Sequence, residues 1–295
     1  MTITVFTPAY NRAHLLPRLY GSLCQQTFRD FEWVIVDDGS VDDTKSLSLS
    51  LSQREGTFFP IRYFYQNNGG KHRAVNHGVR EAKGELFFIA DSDDILPPDA
   101  LQIVSKVYEE IKDDTSFAGV CGLDGTFEGK VIGSGLPQEI LDTPSVDIRF
   151  KYGVTGDMKE VFRTSVLKEF PFPEIEGERF CPEILLWNRI ATKYKLRYIN
   201  KIIYLAEYQE DGISAGIVKA RMKSPVASMI TYAELMDFPV VPAPKKLKAA
   251  INYWRFRFCA DTSSREVPIP QLNWWWNWVM PVGYVMHLRD KRAHG

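Results

Sequence analysis

Long apolar runs, clustered cysteines and a surplus of either charge are all missing from this 295-residue chain. No stretch reaches the ~18 consecutive apolar residues of a membrane-spanning helix, so none is expected. The four cysteines, Cys24, Cys121, Cys181 and Cys259, stand far apart and form no Cys-X-X-Cys pair. That disfavours a zinc ribbon or a redox motif, and with no disulfide framework a reducing cytoplasm fits best. The net charge of −1 gives no reason to expect nucleic acid as a partner. No charged leader precedes an apolar core at the N-terminus, where the run Ile3–Phe6 is too short. No Gly-X-Gly-X-X-Gly follows that run and no phosphate-binding P-loop signature occurs, which disfavours a dinucleotide-dependent dehydrogenase and a P-loop NTPase. Internal repeats and low-complexity tracts are absent as well.

Alternation is what the first half does contain. Short apolar runs at Ile3–Phe6, Trp33–Val36, Ile61–Tyr65 and Leu86–Ala90 read as strands, the last of them buried. Between them Leu16, Leu19, Tyr20 and Leu23 share one helical face, and Ala74, Val75, Gly78, Val79 and Ala82 share another. Leu101, Val104, Tyr108 and Ile111 make a third, opened by Pro97-Pro98. Strands alternating with such helices predict an α/β fold with a mostly parallel sheet flanked by helices. Residues 115–170 are richer in Gly and Pro, with strands expected at Phe117–Cys121 and Met158–Phe162. Residues 183–194 read as a helix and Ile202–Tyr208 as a strand. After about residue 216 the pattern turns helical, over Val218–Phe238 and Lys245–Cys259. The expected domains are 1–215, with a binding half 1–115 and an acceptor-side half 116–215, and a helical C-terminal extension 216–295.

If the early strands are parallel, their carboxyl ends gather four polar segments on one edge of the sheet, where open α/β sheets bind ligands. These are Thr7-Pro8-Ala9-Tyr10-Asn11-Arg12, Asp37-Asp38-Gly39-Ser40, Asn67-Asn68-Gly69-Gly70-Lys71-His72 and Asp91-Ser92-Asp93-Asp94. Asp91 and Asp93 are two apart, so in extended backbone they point the same way and can share a hard cation and, through it, a diphosphate. The alternative is a solvated loop before the helix at Pro97-Pro98. Tyr10 offers a ring face for a base. Lys71 opens a helix whose N-terminus can approach an anion; His72 reads more readily as structural.

In wording and order these four segments resemble family 2 glycosyltransferases of the GT-A fold, strongly over residues 1–115 and more loosely to about 215. The resemblance implies a metal-dependent enzyme of hexosyltransferase type that moves a sugar from a nucleotide-sugar donor, with UDP-sugar expected, onto a glycan or lipid-linked glycan, with inversion. It implies a role in polysaccharide biosynthesis. Thr7, Ala9, Tyr10, Arg12, Asp37, Lys71, Asp91 and Ser92 would bind the donor, Asp37 by accepting the uracil imide proton and Asp91 on the ribose side. Asp93 would bind Mg²⁺ or Mn²⁺. Asp38 would hold its loop or cap the next helix, and Asp42 and Asp43 read as helix N-terminal acids. A sugar-nucleotide nucleotidyltransferase is the alternative enzyme, but Thr7–Arg12 has no glycine. A non-catalytic nucleotide-sugar-binding homologue is the other alternative.

An inverting transfer needs a general base. Members of the family often carry a Glu-Asp pair before a helix past residue 170; here the stretch is Glu178-Arg179-Phe180-Cys181-Pro182-Glu183, and the pair is not intact. Glu183 matches the base by its place, with Glu178 as the alternative. Glu207–Ser214 is expected near the diphosphate. The tryptophans at 274–276 and 278, followed by Arg289, Lys291 and Arg292, read mainly as packing for the extension. Peripheral contact with the inner face of the cell membrane is the second reading.

Overall fold

The computed structural model describes residues 1–206, 216–260 and 271–294 and falls into two compact units. The first unit comprises Met1–Pro171 and Ile190–Glu207, the second Phe172–Arg189 and Tyr208–Gly295.

In the first unit, β1 (Ile3–Ala9), β2 (Phe31–Asp37), β3 (Ile61–Tyr65) and β4 (Leu86–Ile89) pair in parallel. Helices α1 (Leu16–Cys24), α2 (Thr44–Ser52) and α3 (Lys71–Glu81) make the crossovers. All seven residues of β2 and all four of β4 are buried, as expected of strands covered on both faces. The α1 stripe Leu16, Leu19, Tyr20 and Leu23 is buried as its spacing predicts. On α3, Gly78 lets the helix approach β1, since a Cβ there would meet the Phe6 ring at 2.2 Å.

The sheet continues through α4 (Ala100–Glu109), β5 (Phe117–Gly125), β6 (Ile140–Thr143), α5 (Ser145–Phe150), β7 (Met158–Arg163), α6 (Thr164–Glu169) and, after α7 (Glu183–Ala191), β8 (Lys195–Leu205). The eight strands are ordered β3-β2-β1-β4-β7-β5-β8-β6. The sheet is mostly parallel but mixed, because β7 runs antiparallel between β4 and β5, and β6 antiparallel to β8. This insertion of β7 beside β4 sets two distant stretches of sequence side by side, with Phe88 opposite Val161. Trp33, fully buried, donates its indole N–H to the Thr7 hydroxyl at 2.9 Å in the middle of this core.

The second unit is helical. The continuous helix expected over Val218–Phe238 is two helices, α8 (Ile217–Lys223) and α9 (Pro225–Met236). Pro225 takes the first position of α9, and Ser224 before it leaves the α region at φ −130° and ψ 63°. α10 (Ala243–Arg257) follows, then a 3₁₀ turn (Trp274–Val279) that leads into α11 (Met280–His294). Tyr232 and Phe256 stack with ring centres 6.1 Å apart, Arg189 pairs with both oxygens of Glu234, and Arg255 with both of Asp290. The segment Glu207–Ser214 lies outside the described residues.

Candidate active site

Three strands and one helix deliver their ends to a single edge of the first unit. β1 ends at Ala9, which is buried; its carbonyl accepts the Asp38 N–H at 2.8 Å and ties the two strand ends together. Tyr10 then turns outward and is half exposed. Asn11 sits at φ 55°, held by its N–H to Ser40 Oγ and by its side-chain oxygen accepting the Val41 N–H. Thr7, by contrast, is buried with its hydroxyl on Trp33, so it braces β1 against β2 from below.

The adjacent acids at the end of β2 divide the work. Asp37 is buried and accepts the Ser40 N–H at 2.7 Å and the Tyr63 hydroxyl at 2.7 Å. A carboxylate has about four acceptor directions, so these two bonds leave capacity for another donor. Asp38 accepts the Gln66 side-chain amide and the N–H groups of Gly69 and Gly70, at 2.7, 2.8 and 2.7 Å. It therefore fixes the loop that presents Lys71. Gly70 stands at φ 96°, a conformation open to glycine and strained for other residues. Asp42 accepts the N–H of Ala13 and of Thr44, joining this loop to the segment after β1. His72 is buried in the first turn of α3.

Asp91, just past β4, is the hub. Its carboxylate meets Lys71 Nζ at 2.6 Å, and its N–H donates to the Tyr204 hydroxyl at 2.7 Å. Burial pushes the Asp91 carboxyl up, but Lys71, Lys159 and Arg12 outweigh it and hold the group below its usual range. Ser92 is buried, and Asp93, half-buried, has its carbonyl on the Arg18 guanidinium. Asp94 is pushed up to about 7 by burial and then by repulsion from Asp91.

Sequence reasoning missed Lys159, Asp124 and Tyr204. The Lys159 ammonium sits 3.6 Å from the centre of the Tyr204 ring, and Asp124 and Asp91 outweigh its burial to keep it charged. Asp124 on β5 is buried, and burial pushes its carboxyl up to about 6. Its Oδ1 has no hydrogen-bond partner among the described residues. Nothing local marks these residues, because the pairing of β7 with β4 and β5, and of β8 with β5, brings them beside Asp91.

A divalent cation fits this donor set. Asp91, Asp93 and Asp94 crowd one turn and repel, which is visible in Asp94, and a cation would relieve that repulsion. Among the described residues no three acidic, His or Cys side chains converge to hold a metal by themselves. Hard cations that act on diphosphates are commonly held in that way, by one or two carboxylates, with the phosphates supplying the rest.

The two carboxylates past residue 170 belong to the second unit. Glu178 is buried and accepts the N–H groups of Val226 and Ala227, at 2.8 and 2.9 Å, where they open α9. Glu183 is the first residue of α7 and is half-buried.

Residues 4–131 match the model of glycosyl transferase family 2. The chain carries a family 2 glycosyltransferase domain. An uncharacterized glycosyltransferase of Rickettsia felis is 32% identical over 209 residues, which are 68% of this chain and 32% of that protein. This chain thus spans about a third of that relative's length. A GalNAc(5)-diNAcBac-PP-undecaprenol beta-1,3-glucosyltransferase of Campylobacter jejuni is 28% identical over 225 residues, 74% of this chain and 68% of that protein. In fold, this chain is similar to S. aureus TarS 1-349 in complex with UDP-GlcNAc, with a TM-score of 0.61 at 17% identity, over 100% of this chain and 89% of TarS. It is also similar to the mannosyltransferase PcManGT of Pyrobaculum calidifontis in complex with GDP-Man and Mn²⁺, with a TM-score of 0.57 at 19% identity, over 99% and 75% of the two chains. The eight-stranded sheet with its flanking and C-terminal helices is therefore of the GT-A type.

Proposed function

We propose that this glycosyltransferase moves a sugar from a UDP-sugar onto a hydroxyl of a glycan or lipid-linked glycan, with inversion at the anomeric carbon. The observation that carries the reading is the hub at Asp91. A carboxylate, two lysines and two further acids meet at the edge where β1, β2 and β4 end. Tyr10 stacks on the uracil and Asp37 accepts its imide N–H, while Asp91 reaches the ribose side. Lys71 and Lys159 face the diphosphate. Asp93 holds a divalent cation, Mg²⁺ or Mn²⁺, which when bound neutralises charge on the departing diphosphate. Glu183 takes the proton of the acceptor hydroxyl as its oxygen bonds to the anomeric carbon and the bond to the diphosphate breaks. Glu178 is spent on the N-terminus of α9, which favours Glu183 over it. The UDP and UDP-GlcNAc complexes of TarS support a UDP-linked donor, and the undecaprenol-linked acceptor in the Campylobacter relative's name supports a lipid-linked one.

Incubation with a panel of UDP-, GDP- and TDP-sugars and Mn²⁺, followed by assay of released nucleoside diphosphate, tests the donor. UDP-sugars should be turned over in preference to GDP-sugars. Asp37→Ala should weaken UDP binding about tenfold, the worth of one charge-assisted hydrogen bond. Equal turnover of UDP- and GDP-sugars would refute the uracil contact.

A further inference from the structure

The overall charge of −1 conceals a split. Residues 1–215 carry 24 Lys and Arg against 32 Asp and Glu, net −8, whereas residues 216–295 carry 12 against 5, net +7. Such asymmetry between parts of a chain points to an anionic partner for the basic part. Within residues 271–294 the acid is Asp290, which is buried in its pair with Arg255. The exposed charged side chains there, Arg289, Lys291 and Arg292, are all cationic.

The 3₁₀ turn and α11 rest on α10 along a narrow stripe. Val279, Gly283 and Asp290 are buried, and a Cβ at Gly283 would meet the Trp254 Cβ at 2.6 Å. The opposite side is apolar and bare: Trp274, Trp275 and Trp278 are 79%, 52% and 66% exposed, and Val282, Val285 and Leu288 are exposed with them. Positions 278, 282, 285, 289 and 292 recur at helical spacing, so along one face the apolar residues come first and the arginines last. Water-soluble surfaces rarely leave so many large apolar side chains together unless something covers them.

We propose that this face docks the chain on an anionic lipid surface. The tryptophans settle at the depth of the headgroups, where indole rings partition, and Arg289, Lys291 and Arg292 meet the lipid phosphates. Among the described residues no helix is long and apolar enough to cross a membrane, so the attachment lies in the plane of the surface. A second copy is the weaker occupant. A twofold contact through this face would set the cations of both copies on one interface with no exposed carboxylate from the segment among them. The inference does not rest on the donor or acceptor proposed above.

Flotation of the whole chain with vesicles tests it. The chain should float with phosphatidylcholine vesicles containing phosphatidylglycerol, stay behind with phosphatidylcholine alone, and be released by salt. Arg289→Glu/Lys291→Glu/Arg292→Glu should lower partitioning at least about tenfold. Trp274→Ser/Trp275→Ser/Trp278→Ser should do the same, with melting temperature and UDP affinity unchanged in both variants. Failure to float, or flotation that neither variant alters, would overturn the proposal. So would a dimer in sedimentation without lipid that the tryptophan variant dissociates.

Discussion

At the carboxyl edge of the sheet, Asp38 is nearly inaccessible and takes three N–H groups, whereas on the 3₁₀ turn before α11 three tryptophans stand in solvent. Both arrangements reverse the usual placement, with charge inside and aromatic rings outside. The reasons differ. At the sheet edge three of the carboxylates are matched: Asp37 by Ser40 and Tyr63, Asp38 by the glycine loop, Asp91 by Lys71. That matching fixes side chains before any ligand arrives, which a site for a charged donor requires. On the 3₁₀ turn the exposed rings of Trp274 and Trp275 pack edge to face on each other, and the proposed lipid surface would cover them.

The largest expected effect lies in the second unit and separates two glutamates five residues apart. Glu183→Gln keeps the shape but cannot take a proton, so turnover should fall by roughly 10²–10⁴ with UDP affinity unchanged. Glu178→Ala should instead lower stability by about 1–2 kcal/mol, the worth of a helix N-terminal acceptor. Steady-state rates and thermal melts of both variants separate the roles. If Glu178→Gln abolishes turnover in a folded protein while Glu183→Gln does not, the assignments are reversed.

Burial makes the next contrast. Trp33→Ala should cost about 3–5 kcal/mol, because the ring is fully buried and its N–H is bonded to Thr7. Trp278→Ala, whose ring is exposed, should change stability by no more than about 0.5 kcal/mol. Urea melts would show it; comparable losses would mean that the rings of the 3₁₀ turn are packed after all.

A smaller effect concerns pH. Burial pushes the Asp124 carboxyl up from the ordinary aspartate range, about 3.9, to about 6. Between about 4 and 6 the folded form therefore keeps a proton that the unfolded form has lost. Its contribution is favourable below that window and is lost as pH rises through it, on the order of 3 kcal/mol over two pKa units. Asp124→Asn should make the decline shallower, the rest coming from Asp94 and Glu160, which burial also pushes up, to about 7 and about 8; an unchanged slope in melts across the window would assign it to those groups alone.

How much of this was legible beforehand follows the same division. β1, β2 and β4 were readable because strands buried on both faces leave unbroken apolar runs, and β3, a half-buried edge strand, by its β-branched and aromatic residues. Their carboxyl-end motifs were readable because turns and carboxylates at strand ends have few other uses. β6 was not, being a four-residue edge strand with alternating exposure, and neither were the six-residue helices α5 and α6. The helix expected over Val218–Phe238 was broken by Pro225, which the apolar pattern overrode. Lys159 was invisible because its importance comes from the cross-strand neighbours of β7, which no local pattern encodes.

The central claim is that the edge built around Asp91 and Asp93 binds a nucleoside diphosphate through a shared cation. Isothermal titration of UDP, with and without Mn²⁺, on the native chain and on Asp93→Ala addresses it most directly. The native chain should bind UDP more tightly with Mn²⁺, and Asp93→Ala should lose that gain while keeping its melting temperature. A metal-dependent gain that survives in Asp93→Ala would contradict the assignment.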